Sequence, residues 1–201
     1  MQKEISLGVN DWSRVIFSDE CRIELHPQTR EYVRRRVGTN KFNEKYINQT
    51  RKFSASLMLW GAIRSDGRRV LLRCNKNVDQ WYYQSLLNQG LPSIYTTRYF
   101  FQHDGASSHT ARTTTEYLTE KTIRVLPEWP SQSPDISIIE NLWNILKVNV
   151  KKRNAQTIEQ LWSFCEEEWN AIPNDVISRL FESLPHRILS IISAKGGNSK
   201  Y

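Results

Sequence analysis

The chain has 201 residues, which is enough for one domain with a full hydrophobic core. Its formal net charge of +7 favours an anionic partner, with nucleic acid ahead of a membrane, and its hydrophobic content of 39% excludes a disordered segment. No apolar run approaches the ~20 residues that a membrane helix needs. The three cysteines are too far apart for a zinc site or a disulfide framework, and no phosphate-binding loop motif for a nucleotide cofactor is present.

The first half of the chain is typical of antiparallel strands. Alternate residues of 15–25 (VIFSDECRIEL) share one face, which is apolar except for Asp19, and this pattern predicts a strand. The segment 31–37 (EYVRRRV) is a candidate partner strand, and the apolar run 54–63 predicts a central strand. An Asp-Gly turn then leads into a further strand at 70–74.

The second half of the chain alternates helices with short strands. Helical spacing and a glycine at the end mark the first of these helices, and a Thr-to-Gln capping box marks the start of a later one. In chain order the predicted elements are a helix over 77–91 ending at Gly90, a strand over 98–104, a helix over 110–121, a strand over 122–126, a helix from Glu140, a helix capped by Thr157, and a helical tail from Asp175. The sequence therefore predicts a single α/β domain over 1–201, with a mixed sheet, an antiparallel meander first, helices packed on it and a helical C-terminal tail.

Three acidic residues lie at positions where a carboxylate is unusual and requires an explanation. Asp19 shares its face with apolar residues, and the ordinary explanation is a salt bridge or an edge position. Asp104 ends an apolar strand before a glycine, where it could simply cap the next helix. Glu140 follows Ser137 by three residues, so that SIIE forms a capping box, which would account for this glutamate by itself.

Taken together, the three acids indicate a divalent-metal site. Two aspartates from strands and one glutamate from a helix are the minimum ligand set for Mg²⁺, a hard cation that prefers oxygen ligands. Two such ions, about 3.5–4 Å apart, can activate the attacking oxygen and stabilise the leaving oxygen at phosphorus. His109 is interpreted as a first-turn helix residue near the carboxylates, with an assisting role at the scissile phosphate as the alternative.

Basic residues that could contact DNA occur in clusters, although most charge runs are only solvated faces. The favoured cluster continues the helix that begins near Glu140, because Asn144, Lys147 and Lys151 follow that glutamate along one face. Trp129 could stack on an unpaired base or fill the core, and the core is the preferred interpretation. The basic candidates are Arg34, Arg35 and Arg36, then Arg68 and Arg69, then Lys147, Lys151, Lys152 and Arg153.

Several motifs resemble the catalytic domain of Tc/mariner-superfamily transposases, which are DDE-type enzymes with a ribonuclease-H-like fold. They are VIFSDECRIEL, LMLWGAI, FFQHDGASSHTA, VLPEWPSQSPDISIIENLWNILK and the terminal AKGGNSKY, in the order of the family and over nearly the whole chain. The resemblance implies that Asp19, Asp104 and Glu140 are the catalytic residues and bind two Mg²⁺, with Mn²⁺ as a substitute. It also implies hydrolysis at transposon ends, attack of the freed 3′-hydroxyl on target DNA, usually at TA, action in the nucleus and a homodimer on DNA.

The sequence departs from the family pattern in three places. The usual SPDLNPIE is SPDISIIE here, so that Ser137 and Ile138 replace an Asn-Pro pair, and the spacing between Asp104 and Glu140 is one residue longer than the commonest pattern. The helix-turn-helix region of the family is not in this sequence, so recognition of specific transposon ends is expected to be absent from it. Two alternatives stay open: a domesticated or inactive remnant that binds DNA or protein, and a junction-type nuclease of the same fold.

Overall fold

The computed structural model describes residues 11–25, 55–127, 129 and 136–193. None of the helices in these ranges is both long enough and apolar enough to cross a membrane. The strands are β1 (Val15–Glu24), β2 (Ser56–Ile63), β3 (Arg69–Cys74) and β4 (Phe100–Gln102). The helices are α1 (Gln80–Gly90), α2 (Ser107–Thr110), α3 (Arg112–Glu120), α4 (Ile139–Arg153), α5 (Ile158–Ala171) and α6 (Asn174–Ser193).

The four strands form one mixed sheet in the order β3-β2-β1-β4. β1 pairs with β2 in the antiparallel sense, with Asp19 opposite Gly61, and β2 pairs with β3 in the same sense. β4 joins the other side of β1 in parallel, with Phe17 opposite Gln102. The predicted antiparallel meander is therefore present, and β1 lies in the interior of the sheet.

Helices cover both faces of this sheet, and each face has its own core. Alternate residues of β1 divide between the two cores, because successive side chains of a strand point to opposite faces. Val15, Phe17 and Cys21 enter the core that α4, α5 and α6 build, whereas Ile16 enters the core beneath α1 and α3. The sheet therefore has no solvent-facing side along the first half of β1.

Local sequence signals account for several boundaries. The Asp66-Gly67 turn between β2 and β3 places Gly67 at a φ of 87°, which a residue with a side chain rarely adopts. Asp79 caps α1 by accepting a hydrogen bond from the Tyr82 amide. The predicted capping box of α5 is confirmed, since the Thr157 hydroxyl accepts from the Gln160 amide at 3.2 Å.

Two predicted features differ in the structure. The segment 122–126 is not a full strand: it makes one parallel bridge, between Val125 and Phe101, because Thr122 turns the chain at a φ of 56°. The SIIE segment forms no capping box, since the residue that caps α4 is Ile138, with no hydrogen bond from a side chain. The predicted strand 31–37 lies outside the described residues.

At Gly61 a side chain of α4 packs directly against the sheet. A Cβ atom built there would lie 2.5 Å from Trp143 Cη2, so that the indole rests directly on the backbone of β2. We expect Gly61→Ala to lower the free energy of unfolding by about 1–3 kcal/mol through overpacking, as measured by guanidinium unfolding.

Gly90→Ala provides a matched comparison on the other face of the sheet. Its Cβ would lie 2.5 Å from Trp60 Cζ3, but alanine gains up to about 1 kcal/mol in a helix, and this gain offsets part of the clash. Gly61→Ala should therefore be the more destabilising of the two. An alanine at position 61 that leaves stability unchanged would mean that Trp143 does not rest on the strand.

Candidate active site

Asp19 is the acid that lies deepest in the structure. It faces the core side of β1 and accepts a hydrogen bond from Trp143 Nε1 to Oδ2 at 3.2 Å. Burial, followed by the charges of Glu140 and Glu20, raises its pKa to about 7. The structure thus gives Asp19 two acidic neighbours and, among the described residues, no salt bridge. The alternative of an edge position is wrong, because β1 lies between β2 and β4.

Glu140 is the second residue of α4 and points its charge toward Asp19. Its carboxylate makes no hydrogen bond or ion pair with any residue that the structure describes. The carboxylate therefore does not cap the helix. The neighbouring residue, Asn141, is held from α6, because Arg187 Nη1 donates to Asn141 Oδ1 at 3.0 Å. The start of α4 is thereby anchored while the glutamate keeps both oxygens available.

Asp104 lies just past the end of β4, two residues beyond Gln102. Because Asp19 lies two residues beyond the partner of Gln102 on β1, the parallel register brings Asp104 level with Asp19, which is in the middle of β1. Asp104 Oδ1 accepts from the Ala106 amide at 2.9 Å and from His109 Nδ1 at 2.6 Å. The bond with His109 lowers the pKa of Asp104. Among the described residues, no donor reaches its Oδ2.

His109 is buried between two acids. Its Nδ1 bonds Asp104, and its Nε2 lies 3.3 Å from Glu20 Oε1. Burial by itself would lower the pKa of His109, but the bonds to Asp104 and Glu20 outweigh it and raise the pKa to about 9. Nδ1 donates to Asp104, Nε2 faces the Glu20 carboxylate in an ion pair, and the raised pKa keeps the ring an imidazolium at neutral pH. His109 therefore lies next to the carboxylates, as its position in the sequence suggested.

The structure brings the three predicted acids to one region without joining them in one ligand set. Asp19 and Glu140 repel each other closely enough to shift a pKa, whereas the Asp104 carboxylate bonds His109. Over the described ranges, no three His, Cys, Asp or Glu side chains already form a group that could hold a metal ion. The arrangement is thus a cluster of acids where the end of β4 meets the middle of β1, and no donor among the described residues contacts Oδ2 of Asp104 or either oxygen of Glu140.

The basic residues of α4 line a groove beside this cluster. Lys147 and Lys151 are exposed and, with Arg22, border a groove of about 560 Å³ between β1 and α4. Lys147 also reaches the strand, where it partly offsets the effect of burial, which raises the pKa of Cys21 to about 11. Cys21 lies two residues from Asp19 on the same face, so Lys147 contacts the side of β1 that carries Asp19, next to Cys21.

The other basic residues that were predicted to contact DNA do not all face the groove beside α4. Arg153 bonds Glu167 at 2.6 Å and lies 3.9 Å above the Phe164 ring, so its guanidinium is engaged within the domain. Arg69 donates to backbone carbonyls at the end of α5. Lys152 is exposed, Arg68 lies 3.6 Å from Asp66, and Arg34, Arg35 and Arg36 lie outside the described residues.

Trp129 belongs to the core, which was the preferred interpretation of its sequence position. Its ring meets Phe17 edge-on with 5.7 Å between centroids. A partly buried indole packed in this way against the core of β1 is a structural residue.

Three side chains at the site were missed from the sequence. Glu20 lies on the polar side of the alternation in 15–25, and alternation alone does not reveal that helices cover both faces of β1. Tyr83 stacks on His109 at 3.9 Å, and Trp143 binds Asp19, yet both were interpreted only as parts of helices. The apolar pair Ile16 and Phe17, on opposite faces, was the one available signal that β1 is interior.

Comparison with known proteins identifies the family to which this mixed sheet and its cluster of acids belong. Residues 14–174 match the family described as DDE superfamily endonuclease, and the chain belongs to that family. It is 32% identical over 200 residues to the transposable element Tcb2 transposase of Caenorhabditis briggsae and 30% identical over 200 residues to the Tc1 transposase of Caenorhabditis elegans. Each alignment covers 96% of this chain and 72% of the relative.

Solved structures agree on the fold. The Mos1 transposase paired-end complex with left transposon end has a TM-score of 0.72 at 22% identity, over 94% of this chain and 56% of that chain. The crystal structure of the Mos1 mariner catalytic domain has a TM-score of 0.67 at 21% identity, over 94% and 85%. The chain thus spans about half of the full Mos1 chain and most of its catalytic domain. The predicted ribonuclease-H-like fold and the assignment to the DDE-type transposases are confirmed.

Burial of Asp19, together with the charges of Glu140 and Glu20, leads to a prediction about stability. The pKa of Asp19 is about 7 in the folded protein against an ordinary value of 3.8, so the folded state binds the extra proton between these values and loses stability as the pH rises toward 7. Asp19→Asn keeps an acceptor for Trp143 without the charge. We expect it to raise the melting temperature at pH 8 by several degrees and to change it little at pH 5.

The control for this comparison is Glu24→Gln. Glu24 is an exposed carboxylate on the same strand, so its removal should change the melting temperature little at either pH. Equal effects of Asp19→Asn at pH 5 and pH 8 would show that ionised Asp19 is not repelled in the folded protein.

Proposed function

We propose that this chain catalyses divalent-metal-dependent hydrolysis of DNA strands at transposon ends and transfer of the freed 3′-hydroxyl into target DNA. The observation that carries the proposal is the acid cluster: Asp19 is buried on an interior strand with Glu140 beside it, and no described cation pairs with either. Burying an ionised carboxylate without a partner costs several kcal/mol. A fold that holds Asp19 and Glu140 together needs a bound cation to neutralise their charges.

The donor set suits Mg²⁺ or Mn²⁺, and we propose two ions. Glu140 and Asp104 Oδ2 are free of protein donors among the described residues, and oxygen ligands of this kind are those that Mg²⁺ prefers. Mos1 paired-end complexes have been solved with Mg and with Mn, which supports the same use here. When bound, such ions lower the pKa of an attacking water and stabilise the charge that develops on the phosphoryl oxygens.

The residues of this chain would then have separate tasks. Asp19, Asp104 and Glu140 would hold the ions, and His109 would keep Asp104 in place. Lys147, which reaches Cys21 on β1, would bind the phosphate backbone, with Lys151 one helical turn further along the groove. The partner in this proposal is DNA, both transposon ends and target, with a homodimer on it. The Mos1 complex with a transposon end and the Mos1 strand transfer complex support this view. Such an enzyme would act in the nucleus.

Asp104→Asn tests the catalytic assignment. The amide oxygen can still accept from Ala106 and His109, so the turn before α2 should survive while one charged ligand is lost. We expect nicking of supercoiled DNA and joining of a pre-cut 3′-end, each in Mg²⁺ or Mn²⁺, to fall by about 100-fold or more. Glu120→Gln, an exposed acid at the end of α3, is the control and should keep full activity, and an Asp104→Asn variant as active as the parent refutes the assignment.

A second candidate function is a DNA- or protein-binding module without catalysis. It is favoured by the separation of Asp104 from the other two acids in the structure. Calorimetric titration with Mn²⁺ separates the two functions, because a binding module would take up no metal while still binding DNA. A junction-type nuclease of the same fold would cleave DNA but fail to join the pre-cut 3′-end.

The groove beside α4 allows a test of DNA binding. We expect Lys147→Ala and Lys151→Ala each to weaken binding to any duplex sequence and to reduce the slope of log Kobs against log salt by about 1, since each removes one phosphate contact. Fluorescence anisotropy over a salt series measures the slope. Lys121→Ala, just past the end of α3, is the control that should leave the slope unchanged. Unchanged slopes for both α4 variants would exclude the groove as a DNA contact.

A further inference from the structure

Glu20 is a second buried acid, and the function proposed above gives it no task. It follows Asp19 in β1 and therefore points to the opposite face of the sheet. Its side chain is 18% exposed, and its Oε1 is fully buried with no well-aligned hydrogen-bond donor among the described residues. His109 Nε2 lies 3.3 Å from this oxygen and forms an ion pair with it.

The His109 ring cannot turn away from this pair. It is 3% exposed and lies between aromatic neighbours, with ring centroids 3.9 Å from Tyr83 and 5.3 Å from His103. The Tyr83 hydroxyl and His103 Nδ1 are themselves hydrogen-bonded at 3.0 Å, which closes the stack. With the plane of the ring fixed in this way, the two ring nitrogens point in fixed directions, one toward Glu20 and one toward Asp104.

His109 links Glu20 to Asp104, and its bond to Asp104 orients the Asp104 carboxylate. Oδ1 is occupied by His109 Nδ1 and by the Ala106 amide, so that a single oxygen, Oδ2, is left for an external ligand. We infer that Glu20 is a positioning residue: through His109 it fixes the rotation of the Asp104 carboxylate and so fixes the direction in which Oδ2 is offered to a divalent ion. This inference rests on the proposed function, because it assigns Asp104 as a ligand.

The competing interpretation is that Glu20 only stabilises the fold as the counter-ion of His109. The two interpretations differ in what a glutamine does at this position. Glu20→Gln would keep the length and the polar contact with His109 and would still orient the ring, whereas Glu20→Ala would leave Nε2 without a partner. Orientation of bound ligands by such outer contacts is typically worth 10–100-fold in metal affinity.

The test is calorimetric titration of Mn²⁺ into the parent protein, Glu20→Ala, Glu20→Gln and the exposed control Glu24→Ala, at a temperature where all four are folded by circular dichroism. We expect Glu20→Ala to bind Mn²⁺ at least about 10-fold more weakly than the parent. Glu20→Gln should stay within about 3-fold of the parent, and Glu24→Ala should equal it.

Each outcome has a definite meaning. Glu20→Ala binding Mn²⁺ as tightly as a parent that does bind it overturns the positioning role alone. A Glu20→Gln variant as weak as Glu20→Ala also overturns it, because the effect would then come from the charge and not from the orientation of His109. A parent protein that binds no Mn²⁺, and is no different from Asp104→Asn in the same titration, overturns the proposed function and this inference together.

Discussion

A carboxylate on the apolar face of an interior strand is the constraint on which the rest of the structure depends. Asp19 lies among residues of the larger core, and its hydrogen bond to Trp143 does not neutralise it. A carboxyl group in that position is stable beside a cation or in its protonated form. Its pKa of about 7 reflects the cost of ionising it without a cation. The arrangement lowers the stability of the metal-free domain, as is common where a functional site opposes folding.

The interior position of β1 also explains why acids approach from two sides. Helices cover both faces of the sheet, so Asp19 and Glu20 are enclosed by different sets of neighbours although they are adjacent in sequence. Asp104, at the end of the neighbouring parallel strand, lies where the two faces meet and contacts the network that includes Glu20. One short stretch of chain can therefore supply both a ligand and the support for another ligand.

The sequence predicted those parts of the fold that local patterns determine. Alternation located β1, and the Thr157 capping box located α5, because both signals depend on residues within a few positions of one another. Tertiary packing overrode the local signal at α4. Ile136, Ile138 and Ile139 are all buried, and this fixes the turn before the helix, so that the backbone of Ser137 is used and its hydroxyl is not.

The same distinction holds at the site. The acids Asp19, Asp104 and Glu140 could be found because each is unusual in its own segment. The support given by Glu20 and Tyr83 could not be found, since it depends on which helix lies over which face. The sequence thus predicts which side chains have the right chemical type for the site. The structure adds the contacts that orient those side chains.

The anchoring of Asn141 by Arg187 has a consequence for how the protein is made. The acids come from positions 19, 104 and 140, and the arginine that secures the start of α4 comes from the last described helix. During synthesis from the N-terminus, domains fold as units, and contacts between distant segments form only after both have left the ribosome. The hydrogen bond that holds the start of α4 therefore cannot form on a nascent chain until α6 has emerged.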